Sequence, residues 1–230
     1  MGRVIAAAVL AFGLLATPGM AGCRLALVLA VDVSRSIDEG DYEIQRGGLL
    51  LALADPGIRA AFVGPADPVA LSVMEWSGRA HQEVVLDWRL IGTEADLDEV
   101  MAVIAAHVRS PDRLPTGLGT ALEFALGRLA AAPPCAAQVI DLSGDGRNND
   151  GFGPDEAYVR TDFGAVTVNG LAIVEHERDI VEYFQDHLIR GPGAFVEVAL
   201  GQRDYPRAMA RKLYRELTDD MAGRPAGGGG

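Results

Sequence analysis

Three short segments carry oxygen-bearing side chains at spacings that could converge on one cation. The first is Asp32-Val33-Ser34-Arg35-Ser36, the second Thr116-Gly117-Leu118-Gly119-Thr120, and the third Ser143-Gly144-Asp145-Gly146. A carboxylate and two hydroxyls at alternating positions can turn toward one point where a chain leaves a strand. Asp32, Ser34, Ser36, Thr116 and Asp145 offer oxygen only. That donor set suits a hard divalent cation, Mg²⁺ first with Mn²⁺ or Ca²⁺ as alternatives, over zinc or copper. Each segment taken alone has a plainer role, since Asp and Ser also cap helices and Asp32 precedes one.

The elements around these segments set where they can meet. Leu25 to Val31 is apolar at every position, as expected for a strand buried between two helix layers. A helix follows from Asp38 to Ala54, closed by Asp55-Pro56-Gly57. Val69 to Trp76 and Glu83 to Leu90 form a hairpin-like pair of strands, and Thr93 to Val108 is a helix. The Pro-rich loop from Ser110 to Pro115 leads into a helix over Leu118–Ala131. Further strands are expected at Val139–Leu142, Val166–Val174 and Ala194–Leu200, with helices at Asp155–Phe163, Arg178–Leu188 and Asp204–Leu217. This alternation predicts an α/β, doubly wound, mostly parallel sheet with one antiparallel edge strand and helices on both faces. In such sheets ligands bind outside the carboxyl ends of the strands, where all three segments fall.

Asp-x-Ser-x-Ser after the first strand, a loop Thr, and Asp-Gly after the fourth resemble the metal-ion-dependent adhesion site of von Willebrand factor A domains. The pattern matches over about residues 24–218. The resemblance implies Asp32, Ser34 and Ser36 as first-loop ligands, Thr116 as the second-loop ligand and Asp145 as the third-loop carboxylate. Thr120 is the alternative to Thr116. The stretches around Asp32, Trp76-Ser77, Asp141–Asn149 and Asn169–Ile173 are similar to an exported bacterial branch of that superfamily without assigned activity. The family's cation keeps a position for an acidic group of a protein partner, and the same is expected here. Asp141-x-Ser143-x-Asp145-Gly146 also has the opening spacing of a calcium loop. Its twelfth position is Phe152 rather than Glu, however, and Asp141 belongs to a strand.

Residues 1–22 have the layout of a secretory leader: Arg3, then thirteen apolar or Gly residues from Val4 to Ala16, then small residues. The apolar stretch falls short of the ~20 residues a spanning helix needs. An exported protein, periplasmic or extracellular and without a transmembrane segment, is expected. Residues 23–218 make one domain, and residues 219–230 a Gly-rich disordered tail. The net charge of −12 argues against nucleic acid as a partner. Two cysteines occur, Cys23 and Cys135. Met20-Ala21-Gly22-Cys23 has the form of a lipoprotein box, which would make Cys23 a lipid anchor. In the family fold, though, the first and fourth strands are parallel neighbours. Cys23 and Cys135 lie at nearly equal offsets before Asp32 and Asp145, so the resemblance favours a disulfide at the opposite rim.

The remaining polar residues have plain readings. The four histidines show no zinc spacing and read as surface or helix-face residues. Trp76 and Trp88 read as core, Glu75, Glu83 and Asp87 as solvated or capping groups, and Asn148 to Asp150 as a turn. A non-enzymatic, cation-dependent protein-binding module is expected. A metal-assisted hydrolase of phosphoester type is the alternative, but no general base is evident beside the site. A dinucleotide domain is disfavoured because no Gly-x-Gly-x-x-Gly follows the first strand.

Overall fold

The structure, a computed structural model, describes residues 22–110 and 114–222, with side chains described through Thr218. The expected leader, apart from Gly22, and the Gly-rich residues from Gly223 onward lie outside them. The described residues form one sheet in the order β3-β2-β1-β4-β5-β6. Its strands are β1 (Cys23–Asp32), β2 (Val69–Trp76), β3 (Gln82–Ile91), β4 (Cys135–Gly144), β5 (Thr167–Ile173) and β6 (Val196–Ala199). All neighbours pair in parallel except β2 with β3, so β3 is an antiparallel edge.

Alternation along β1 divides the core in two. Leu25, Leu27 and Leu29 face α1 (Glu39–Ala54) and α7 (Tyr205–Ala222), packing with Leu49, Leu53, Met209 and Leu213. Ala26, Val28 and Ala30 face α4 (Leu118–Ala130), packing with Leu118, Leu122 and Ala125. Because both faces are covered, β1 has no solvent side, and every residue from Cys23 to Asp32 is buried. The chain runs outward from β1 to β2 and β3, then returns to the other side of β1 as β4. The carboxyl ends of β1 and β4 therefore flank the crevice where the strand order reverses.

One expectation fails at Asp55-Pro56-Gly57, which starts a helix rather than only ending one. Asp55 Oδ1 accepts from Gly57 N at 2.8 Å and Ile58 N at 3.1 Å, capping α2 (Pro56–Val63). Proline at the first position of a helix loses no hydrogen bond, so the apparent terminator is an N-terminal signal. The other helices are α3 (Glu94–Ala106), α5 (Pro154–Arg160) and α6 (Ile180–Tyr183), which continues as a π-turn over Phe184–Leu188. The helix expected to end at Leu217 runs on as α7 to Ala222.

Cys23 and Cys135 are direct register partners on β1 and β4 and are joined by a disulfide, with Cα atoms 4.3 Å apart. The bond takes the Cys23 sulfur that an acylated anchor would need. It closes a loop spanning 112 positions of sequence at the rim opposite Asp32. Replacing both cysteines with Ser should lower stability by about 2–5 kcal/mol, read as a shift in the urea midpoint. A shift below about 1 kcal/mol would show that the β1–β4 ladder needs no clip.

Between α7 and the sheet lies a buried ionic group. Lys212 of α7 is fully buried, with its Nζ 2.7 Å from Asp141 Oδ1 and 2.8 Å from Glu216 Oε1. Asn169 Nδ2 donates to the same Glu216 oxygen at 2.8 Å, and Asn169 Oδ1 accepts from Phe195 N. These contacts fasten α7 to β4 and β5.

Candidate metal centre

Asp32 ends β1 and is fully buried. Its Oδ1 accepts from Ser34 N at 2.7 Å, which turns the chain sharply as it leaves the strand. That turn puts the Ser34 hydroxyl 3.2 Å from the Ser36 hydroxyl, and Ser36 Oγ donates to Asp145 Oδ1 at 2.7 Å. The first and third segments are thus joined side chain to side chain. Thr116, 4% exposed, lines the same cleft with Ser36, Asp145, Gly146, His176 and Glu177. The cleft encloses about 210 Å³. Thr120, the alternative, lies outside this lining and beside Gly151 instead.

Three anchors hold the second segment in place. Thr116 N donates to Asn149 Oδ1 at 2.8 Å, and Thr116 O accepts from Asn149 N and Asp150 N. Leu118 N donates to Asn148 Oδ1 at 2.8 Å, which supplies the cap that Gly117 cannot. Asn148 and Asn149 do more than shape a turn, because their amides fix Thr116 against the third segment. Gly117 itself is required by close packing: a Cβ there would sit 2.9 Å from Arg79 N and Gly78 C. Gly119 is tighter still, with Phe152 O within 2.3 Å of where its Cβ would be.

The first segment is braced from behind by Arg109. Its Nη2 donates to Val33 O at 2.9 Å and Ile37 O at 2.8 Å, while Nη1 donates to Asp38 O at 3.2 Å. The guanidinium also lies over the Tyr42 ring at 5.2 Å. One planar fork therefore gathers the carbonyls of the loop that carries Ser34 and Ser36. Arg109→Ala should weaken cation binding about 10- to 100-fold in calorimetry without unfolding the sheet. Arg109→Lys should recover only part of that, since an ammonium cannot span the same carbonyls. Unchanged affinity in Arg109→Ala would remove Arg109 from the design of the loop.

The electrostatics favour a positive charge beside the two carboxylates. Asp32 Oδ2 and Asp145 Oδ2 are buried without hydrogen-bond partners among the described residues. Burial, and then the nearby charge of Asp145, push the Asp32 carboxyl from 3.8 up to about 7. Burial also raises Asp145. Two desolvated carboxylates beside three hydroxyls form an oxygen-only donor set suited to a divalent cation, which would meet both orphaned oxygens. Among the described residues, the donors fit such an ion.

The structure also brings in groups that no spacing announced. His176 Nε2 lies 4.0 Å from Asp145 Oδ2, and Glu177 Oε2 accepts from Arg147 N at 3.2 Å. Both stand at the mouth of the cleft, so titratable groups do lie beside the candidate ligands. They come from the loop after β5, and only the parallel β4–β5 pairing carries that loop to Asp145.

Comparisons with known proteins agree with this architecture. The sequence model of a family described as "Protein of unknown function (DUF1194)" matches residues 22–221. No match to a curated protein was found. Among solved structures, a von Willebrand factor type A protein from Catenulispora acidiphila is similar with a TM-score of 0.61 at 16% identity. The match covers 86% of this chain and 43% of that one. Proximal thread matrix protein 1 from the mussel byssus, with a zinc-occupied MIDAS motif, matches with a TM-score of 0.61 at 12% identity, over 86% of this chain and 46% of that one. The pilus adhesin SpaC from Lactobacillus rhamnosus GG matches with a TM-score of 0.57 at 15% identity, over 86% and 31%. The chain spans less than half the length of these relatives, and the likeness shows a shared von Willebrand factor A-like fold.

Proposed function

The chain belongs to the DUF1194 family, with a von Willebrand factor A-like fold, and from that premise we propose that it is an exported, non-enzymatic, cation-dependent binding module. Asp32, Ser34, Ser36, Thr116 and Asp145 hold one divalent cation, with Mg²⁺ first and Mn²⁺ or Ca²⁺ as alternatives. The cation is presented to a carboxylate of a protein partner through the open side of the cleft. The observation that carries this reading is the pair of buried oxygens without hydrogen-bond partners on Asp32 and Asp145. They are linked by a chain of contacts through Ser34 and Ser36, with Asp145, Ser36 and Thr116 lining the cleft and Asp32 behind them. The relatives lend support in kind, since one has zinc in its MIDAS motif and another is a pilus adhesin. Export is supported by the leader pattern and by the disulfide, a bond that persists in oxidising compartments. No helix of the described residues is long and apolar enough to cross a membrane.

The test is capture of envelope proteins on immobilised protein with Mg²⁺, with chelator, and with Asp145→Ala. Retention of the same partner under all three conditions would overturn the reading. Turnover of a generic phosphoester that depends on Mg²⁺ and is lost in Asp145→Ala would move the site to the hydrolase class.

A further inference from the structure

The sheet separates the cleft from a second group of ligating atoms. Glu75 precedes Trp76 on β2, and its side chain lies on the face of Leu71 and Val73, opposite the face shared by Trp76 and its register partner Asp32. Glu75 is 5% exposed, far from the solvated group its sequence suggests. One ligand atom each from Glu75, Glu83 and His107 lie within 4.8 Å of one another.

The arrangement has the organisation of a ligand set. Tyr42 OH donates to Glu75 Oε1 at 2.8 Å, which fixes the carboxylate and leaves Oε2 turned toward His107 Nε2 at 3.1 Å. These two atoms are directly hydrogen-bonded, and their separation is close to the roughly 3.3 Å between two ligands of a tetrahedral zinc ion. Glu83 is the direct register partner of Glu75 on the antiparallel β3. Like charges directly opposite one another in a ladder repel, and a cation between them would remove that cost.

A separate observation points to a ligand. Tyr42, Gln45, Glu75 and His107 line a narrow, partly open pocket with about 20 Å³ of space, enough for a single water-sized sphere. Gln45 is 1% exposed; its Nε2 donates to Gln202 Oε1 at 3.1 Å, while its Oε1 is buried without a hydrogen-bond partner among the described residues. A buried amide oxygen without a partner is costly, and this one belongs to a residue that lines the same pocket.

We propose that Glu75, Glu83 and His107 form a second divalent-cation site, oriented by Tyr42 and bordered by Gln45. One imidazole with two carboxylates suits zinc and similar borderline ions better than Mg²⁺, so the two sites differ in preference. The ligands come from β2, β3 and the end of α3, which is why no motif spacing marks them.

Titration with Co²⁺, followed by visible absorption and calorimetry, tests the site on the mature protein. Wild type should bind one more cobalt ion than His107→Ala, whereas Asp145→Ala should keep the imidazole-linked absorption. Glu83→Gln, a change at a half-buried rim position, should weaken that absorption-linked binding on the order of 10- to 100-fold. It carries the test if circular dichroism shows His107→Ala to be unfolded. Wild-type cobalt binding in Glu83→Gln and in folded His107→Ala would overturn the proposal, as would loss of all binding in Asp145→Ala. Failure of the cleft reading alone has a different outcome: Asp145→Ala would bind as wild type while His107→Ala still lost one ion.

Discussion

Mg²⁺ should stabilise the wild-type protein, and Asp145→Ala should abolish that stabilisation. A cation that binds only the folded state at about 100 times its dissociation constant adds roughly 2.7 kcal/mol. Asp145 supplies one of two buried carboxylates and accepts the Ser36 hydroxyl, so its loss removes one proposed ligand and unfastens a second. The mutant should therefore show no Mg²⁺-dependent rise in melting temperature and no calorimetric heat. In chelator the same mutant should be at least as stable as wild type at pH 8. The reason is that Asp32 then no longer faces a second desolvated charge. An equal Mg²⁺ shift in both proteins would sink the assignment of Asp145.

Lys212→Met should destabilise the fold by about 3–5 kcal/mol at neutral pH, read as a urea midpoint. The buried ammonium is 2.8 Å from Glu216, which is 5% exposed, and 2.7 Å from the buried Asp141. Removing it leaves the buried Glu216 carboxylate with only the Asn169 amide as a partner, beside a buried Asp141 that then has no counter-charge. Adding Glu216→Gln and Asp141→Asn should recover most of the loss, because hydrogen-bonded amides tolerate burial without a counter-charge. A single Lys212→Met variant within about 1 kcal/mol of wild type would show the cluster to be structurally idle.

The same cluster sets a pH dependence. Burial, and then the charge of Glu216, push the Asp141 carboxyl from 3.8 up to about 8. A raised folded value means that the folded state binds the proton more tightly than the unfolded chain. That stabilisation is fully present below about 4 and is lost as pH rises through about 8. In chelator, wild-type stability should fall between pH 5 and pH 8, with Asp32 adding to the same trend. Asp141→Asn should flatten the slope, and an unchanged slope would locate the titrating group elsewhere.

Much of the candidate site was legible because its ligands sit in local patterns. Asp32, Ser34 and Ser36 are close in sequence, and the turn that aims them is made by Asp32 itself through Ser34 N. The runs flanking them have the two-faced apolarity of central strands, so both the sheet and the rim were readable. The pairing of Cys23 with Cys135 followed once β1 and β4 were taken as neighbours. The Asp55-Pro56-Gly57 signal was misread because Pro both ends and starts helices, and the choice depends on what Asp55 caps.

The chain by itself thus determined which segments could hold a cation and on which rim they would lie. Turn chemistry, alternation and capping are properties of neighbouring residues. Only the tertiary structure decided how those segments are held and what else they meet. Arg109 reaches carbonyls more than 70 positions away, and Asn149 reaches Thr116 across 33. Lys212 finds Asp141 across the α7–β4 packing, and His107 finds Glu75 across the end of α3. Each of these contacts requires chain segments that only the completed sheet brings together, and one side chain at a distance carries no period to announce it.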